Sequence, residues 1–85
     1  MSETEIFKKL SGGAIDTLRA LARGPKFDGD VPSKAGRNEL VELGLARRDR
    51  QFPDGPYKGC QMNELTEDGK RVALRNPQPQ SYARH

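Results

Sequence analysis

The sequence predicts a small α+β domain that is mostly helical and carries one two-stranded β-hairpin. Four segments place apolar residues at the spacing of an amphipathic helix, and two strand-like segments flank the turn-forming run Pro53-Asp54-Gly55-Pro56. The chain has 85 residues, of which 33% are hydrophobic and 32% charged. That length and polarity allow a single domain with one small core.

The first two helices are predicted over residues 2–10 and 14–23. The first is a short amphipathic stretch, which the run Ser11-Gly12-Gly13 interrupts. The second is the clearest helix of the sequence, because at about 100° per residue one face collects its apolar side chains, namely Ala14, Ile15, Leu18, Leu21 and Ala22. A glycine followed by a proline ends this helix at residues 24–25.

A third helix is predicted over residues 33–43, with Ser33 as its N-cap and Gly44 as its terminator. Its inner face is expected to consist of Gly36, Leu40 and Leu43. Its outer face is basic and amide-bearing, and is expected to consist of Lys34, Arg37, Asn38 and Val41.

The predicted hairpin pairs residues 45–52 with residues 57–65. Leu65 is out of phase with Met62, which predicts a bulge or the end of the strand, and Cys60 is expected to be a small buried hydrophobe. Thr66 is predicted to cap a last helix over residues 67–75. The polar, proline-containing residues 76–85 are predicted to form a flexible tail after a single domain of residues 1–75.

The sequence lacks the residue sets that catalysis and metal binding require. Its one histidine is the last residue, His85, and its one cysteine is Cys60. Neither belongs to a nucleophile–base pair or a metal-ligand motif, so we predict no enzyme activity, no cofactor and no metal. A lone cysteine fits a reducing compartment, and neither a membrane-length apolar run nor an apolar leader is present, so a cytoplasmic protein without a membrane partner is predicted.

Three short motifs carry a resemblance to a known family, namely LRALARGP, SKAGRNELVELGLARR and NELTEDGKRVAL. They resemble segments of winged helix-turn-helix DNA-binding domains of the MarR and PadR type. The run SKAGRNELVELGLARR is similar to their recognition-helix region, NELTEDGKRVAL to the segment after the wing, and LRALARGP to the first long helix. The matches span roughly residues 14–75 in the expected order. The resemblance implies a winged helix-turn-helix whose wing is the two-stranded hairpin. The small format with a tail is typical of phage and prophage proteins.

The sequence departs from that family between residues 26 and 32. A standard helix-turn-helix has a full helix at this point, which braces the recognition helix. Here Asp28, Gly29, Asp30 and Pro32 allow no more than a turn. The second helix is therefore predicted to be truncated.

The net charge of +3 permits a polyanionic partner, and several bases gather around the third helix and the hairpin. We predict double-stranded DNA as the partner of a transcriptional regulator, with helix 33–43 in the major groove and hairpin 45–65 as the wing. On the helix, base edges and phosphates are expected to meet Ser33, Lys34, Arg37 and Asn38. On the wing, phosphates are expected to meet Arg48, Arg50 and Lys58, and Tyr57 is expected to stack or form a hydrogen bond at the tip.

Two alternatives stay open at the level of sequence. The basic side chains are also what the solvated face of any amphipathic helix or exposed strand requires. A winged-helix domain also serves as a protein–protein adaptor, for example a phage protein that binds a host protein, and a second copy in a homodimer is a further candidate partner. A continuous basic face favours DNA, whereas an apolar patch on the same face favours a protein.

Overall fold

The computed structural model describes residues 2–77. Within that range the chain forms an α+β domain, and the predicted class and order of elements are confirmed. The elements are α1 (Glu3–Lys8), α2 (Gly12–Ala22), a single 3-10 turn (Asp28–Asp30), α3 (Lys34–Glu42), β1 (Ala46–Gln51), β2 (Gln61–Leu65) and α4 (Glu67–Arg75). The predicted tail lies outside the described residues apart from Asn76 and Pro77.

Each helix begins at a hydroxyl side chain that accepts a hydrogen bond from a backbone N–H of the first turn. Ser33 caps α3 and Thr66 caps α4, as predicted, and Ser2 forms a capping box with Glu5 on α1. Ser11 was expected to interrupt a helix, but it caps α2, whose first turn contains the two following glycines. These local hydrogen bonds satisfy donors that a helix start otherwise leaves unpaired.

The core lies where α2, α3 and α4 meet the base of the hairpin. It is built from aliphatic side chains, namely Leu10, Ala14, Leu18, Leu21, Leu40, Leu45, Ala46, Leu65 and Val72. Two expected core residues are not part of it, since Ala22 is exposed and Leu43, which follows the last turn of α3, is 53% exposed. Burial of this apolar surface is the main force that holds the helices together.

Two glycines allow elements to approach one another more closely than a side chain would permit. Gly36 on α3 faces the backbone of Gly13 on α2, and a Cβ at Gly36 would collide with that carbonyl group. Gly69 on α4 faces the carbonyl oxygen of Leu45 in the same way. The helix pair and the α4–hairpin junction are therefore both packed backbone to backbone.

The hairpin pairs β1 with β2 in antiparallel register and contains a bulge. Ala46 lies opposite Leu65 and Arg50 opposite Met62, so that Arg48 and Asp49 together oppose the single residue Asn63. Leu65 is the last residue of β2. The end of the strand at Leu65 is one of the two possibilities predicted from its being out of phase with Met62.

The second edge of β2 is also paired. The backbone of Asn63 exchanges hydrogen bonds with Lys26, with N–O distances of 2.8 and 2.9 Å. The loop after α2 therefore contributes a one-residue bridge that the sequence did not predict.

The strands are shorter than predicted, because residues 52–60 form the loop that joins them. The N–H of Phe52 donates to the carbonyl of Cys60 over 3.0 Å, and β2 begins only at Gln61. Cys60 is exposed, and its predicted burial is wrong because the residue lies in this loop and not in the strand. Over residues 2–77, no helix combines the length and apolar character needed to cross a lipid bilayer.

Candidate nucleic-acid interface

The outer face of α3 presents two polar side chains one helical turn apart. Lys34 in the first turn and Asn38 in the second are both exposed, as predicted. Ser33 is half-buried, and its Oγ accepts the N–H of Gly36 over 2.9 Å. This hydroxyl therefore acts first as a helix cap.

Arg37 was expected beside Lys34 on the outer face, and that placement is wrong. Its side chain is only 8% exposed, and its Nη1 donates to Asp28 Oδ1 over 2.8 Å. The helical period assigned Arg37 to the side away from the core, but on that side Asp28 of the 3-10 turn lies against the guanidinium. Because a buried guanidinium needs an anionic or polar partner, the carboxylate of Asp28 stabilises it there.

Asp28 connects α3 to the hairpin through three side chains. Besides Arg37, it accepts Arg48 Nη2 from β1 at 3.0 Å and Asn63 Nδ2 from β2 at 2.8 Å. The hydrogen bond from Asn63 and the two nearby guanidinium charges lower the pKa of Asp28 from its usual 3.8, although desolvation opposes them. We call Asp28, Arg37, Arg48 and Asn63 the polar bridge.

Asn63 is the buried centre of the polar bridge, with no exposed surface. Its Nδ2 donates to the carbonyl of Lys26 at 3.0 Å, and its Oδ1 accepts Arg48 Nε at 3.0 Å. Asn63 was absent from the predicted site, and Asp28 was expected only to form a turn. The sequence feature that could have indicated the role of Asn63 is its position in a strand whose other buried side chains, Met62 and Leu65, are apolar.

The two predicted wing arginines lie on opposite faces of the hairpin. Arg48 bonds to Asn63 and to Gln61, whose Oε1 accepts its Nη2 at 2.7 Å, on the face toward the 3-10 turn. Arg50 pairs with Glu64, with an Nε–Oε2 distance of 2.9 Å. Glu64 follows Asn63 in β2, and successive side chains of a strand point to opposite faces. Arg50, the partner of Glu64, therefore lies on the face of the hairpin opposite to Arg48 and Asn63.

The hairpin loop contacts the residue that precedes the 3-10 turn through aromatic rings. Tyr57 stacks on Phe27, the residue before Asp28, with ring centroids 4.0 Å apart and planes inclined by 21°. Tyr57 is 37% exposed, and its neighbour Lys58 is exposed. Lys34 and Lys58 form no ion pair with any residue in the range 2–77, whereas Arg37, Arg48 and Arg50 each pair with an acid.

The 3-10 turn therefore joins the two elements that carry the predicted contact residues. Arg37 of α3 and both Arg48 and Asn63 of the hairpin bond to Asp28 in the turn. Tyr57 of the hairpin loop stacks on Phe27, the residue before the turn. Among the described residues, no group of three or more His, Cys, Asp and Glu side chains is arranged to bind a metal ion. Comparison of the chain with protein-family models, curated proteins and solved structures finds no significant match.

Proposed function

We propose that this protein binds double-stranded DNA as a winged helix-turn-helix and acts as a small transcriptional regulator. In this proposal α3 enters the major groove and the hairpin is the wing. The observation that carries it is the pair of exposed side chains Lys34 and Asn38, on a helix that the polar bridge ties to the hairpin. A rigid helix with outward polar groups at its N-terminal half is what recognition of base edges requires.

The proposed contacts divide into phosphate contacts and base contacts. Lys34 and Lys58 are exposed cations without an ion-pair partner among residues 2–77, which suits contacts to phosphate oxygens. Asn38 carries the amide that suits a base edge. Arg37 is assigned to the positioning of α3, since its guanidinium is buried against Asp28.

The polar bridge takes over the task of the truncated second helix in this proposal. In a standard helix-turn-helix that helix braces the recognition helix. Here the 3-10 turn is too short to pack on α3 along its length, and charge-assisted hydrogen bonds hold the two together instead.

A protein partner is the second candidate function. In the C-terminal half of α3, Val41 is 37% exposed on the same face as Lys34 and Asn38, so part of that face is apolar where DNA contact requires polar groups. The ion pairs of Arg37, Arg48 and Arg50 also reduce the positive field near α3. An adaptor that binds a host protein would use this surface.

Fluorescence anisotropy with a labelled mixed-sequence duplex at several salt concentrations tests the proposal. We expect the logarithm of the affinity to fall linearly with the logarithm of the salt concentration. In the double variant Lys34→Ala, Lys58→Ala this dependence should become shallower by about 2 in slope, roughly 1 for each lost phosphate contact. The matched control is Lys8→Ala, an exposed lysine on α1, which we expect to leave the slope unchanged. Absence of binding at low salt would reject DNA as the partner and favour the adaptor.

A further inference from the structure

We infer, on the basis of the proposed function, that Asn38 contacts DNA only as a hydrogen-bond donor and thereby selects guanine over adenine. The inference rests on the neighbour that occupies its carbonyl oxygen. Arg37 Nε and Nη2 donate to Asn38 Oδ1, with distances of 3.2 and 3.0 Å. Both lone pairs of that oxygen are engaged, so Nδ2 and its two hydrogens are the free part of the side chain.

The orientation of this amide is decided by chemistry. A guanidinium has donors and no acceptor, so the group that faces it must be the carbonyl oxygen and not the NH2. Arg37 can bond in this manner only if Asn38 turns its NH2 outward. The hydrogen-bond network thereby distinguishes the oxygen of Asn38 from its nitrogen.

Arg37 is itself held in place, which makes the orientation of Asn38 stable. Its Nη1 is anchored on Asp28, and Asp28 is bonded to the fully buried Asn63. For Asn38 to turn its oxygen outward, the buried guanidinium would lose two hydrogen bonds at once. Unsatisfied donors of this kind carry a large desolvation cost, so the NH2-outward state dominates.

The major-groove edges of the bases differ in the partners they offer to this side chain. Adenine presents an acceptor at N7 and a donor at N6, so the usual bidentate contact of asparagine needs a free amide oxygen. Guanine presents acceptors at both N7 and O6, which match an NH2 group alone. Thymine offers one acceptor and cytosine a donor. Guanine is the base with two acceptors for the two hydrogens of Asn38.

A binding selection tests this assignment and needs no known target site. The probe is a library of duplexes with a randomised interior, selected in parallel with the wild-type protein and with Asn38→Ala. We expect one position at which the wild type prefers guanine over adenine about tenfold and Asn38→Ala does not discriminate. Replacement of that guanine by 7-deazaguanine, which lacks the N7 acceptor, should then weaken binding by the wild type alone.

The outcomes separate this inference from the proposed function. If no duplex is enriched, both the DNA proposal and the inference are wrong. If DNA is bound but the Asn38-dependent position prefers adenine, or if Asn38→Ala leaves every preference unchanged, only the inference is wrong. The variant Arg37→Met, checked for folding by circular dichroism, frees the oxygen of Asn38 and should shift the preference from guanine toward adenine.

Discussion

Arg37 Nη1 donates to Asp28 Oδ1 over 2.8 Å, and this bond joins the outer side of α3 to the 3-10 turn. The guanidinium is almost fully enclosed, whereas the Asp28 side chain is 41% exposed. The pair therefore depends on Asp28 to remain charged and in place. Loss of the carboxylate would leave a buried cation with Asn38 as its remaining side-chain partner.

Asp28→Ala is expected to destabilise the fold by about 2 kcal/mol, because it removes the shared partner of Arg37, Arg48 and Asn63. The partial exposure of Asp28 keeps this value below the cost of breaking a fully buried pair. Urea unfolding followed by circular dichroism measures the change. The matched control is Asp30→Ala, an exposed acid of the same turn, which we expect to stay within about 0.5 kcal/mol of the wild type. Equal effects of the two variants would contradict the role of Asp28.

The same carboxylate predicts a pH dependence. The pKa of Asp28 is lowered from 3.8 in the folded state, chiefly by the hydrogen bond from Asn63. Its contribution to stability is therefore fully present above pH of about 4 and is lost as the pH falls through the lowered pKa. The difference in unfolding free energy between the wild type and Asp28→Asn should be largest at neutral pH and shrink below about pH 4. A difference that grows on acidification would contradict this assignment.

Gly36→Ala is expected to destabilise the protein by about 2 kcal/mol or more, although alanine is the better helix former. The reason is steric, since a methyl group at this position meets the Gly13 backbone, which has no flexible side chain to move aside. Thermal unfolding provides the measurement. Gly12→Ala is the control, because outside its own helix backbone and chain neighbours nothing lies within 4 Å of a Cβ at that position, and it should be neutral or slightly stabilising. An unchanged melting temperature in Gly36→Ala would show that the α2–α3 contact is looser than described.

Thr66→Ala is expected to cost about 1–2 kcal/mol of stability. The Thr66 hydroxyl accepts the N–H of Gly69 at 3.1 Å and donates to the carbonyl of Gly44 at 2.7 Å, so it caps α4 and ties it to the end of α3. Chemical denaturation compares this variant with Thr66→Ser, which keeps both hydrogen bonds and should retain most of the stability. If serine is no better than alanine, the methyl group and not the hydroxyl carries the effect.

The agreement between prediction and structure is closest where the signal is local. Ser33 and Thr66 begin their helices at the predicted positions, and α4 covers residues 67–75 as predicted. A capping side chain bonds to a backbone N–H three residues further along the chain, so the residues of a single helical turn are enough to predict it. The short segment before α3 likewise allowed only a turn, because its aspartates, glycine and proline disfavour a helix.

The polar residues of the site required the tertiary structure. Arg37 and Asn38 were assigned to one face by helical period, yet the first is buried and the second exposed. Periodicity gives the direction in which each side chain leaves the helix, but it does not show which segment of the chain packs against that side.

The sequence by itself determined the order of the four helices, the caps Ser33 and Thr66 and the position of the hairpin, because these follow from propensities and contacts between near neighbours. Only the tertiary structure decided the bulge opposite Asn63, the exposure of Cys60 and the burial of Arg37. The physical reason is that a buried polar group is stable only beside its partner, and Asp28 and Asn63 are separated by 35 residues in the chain.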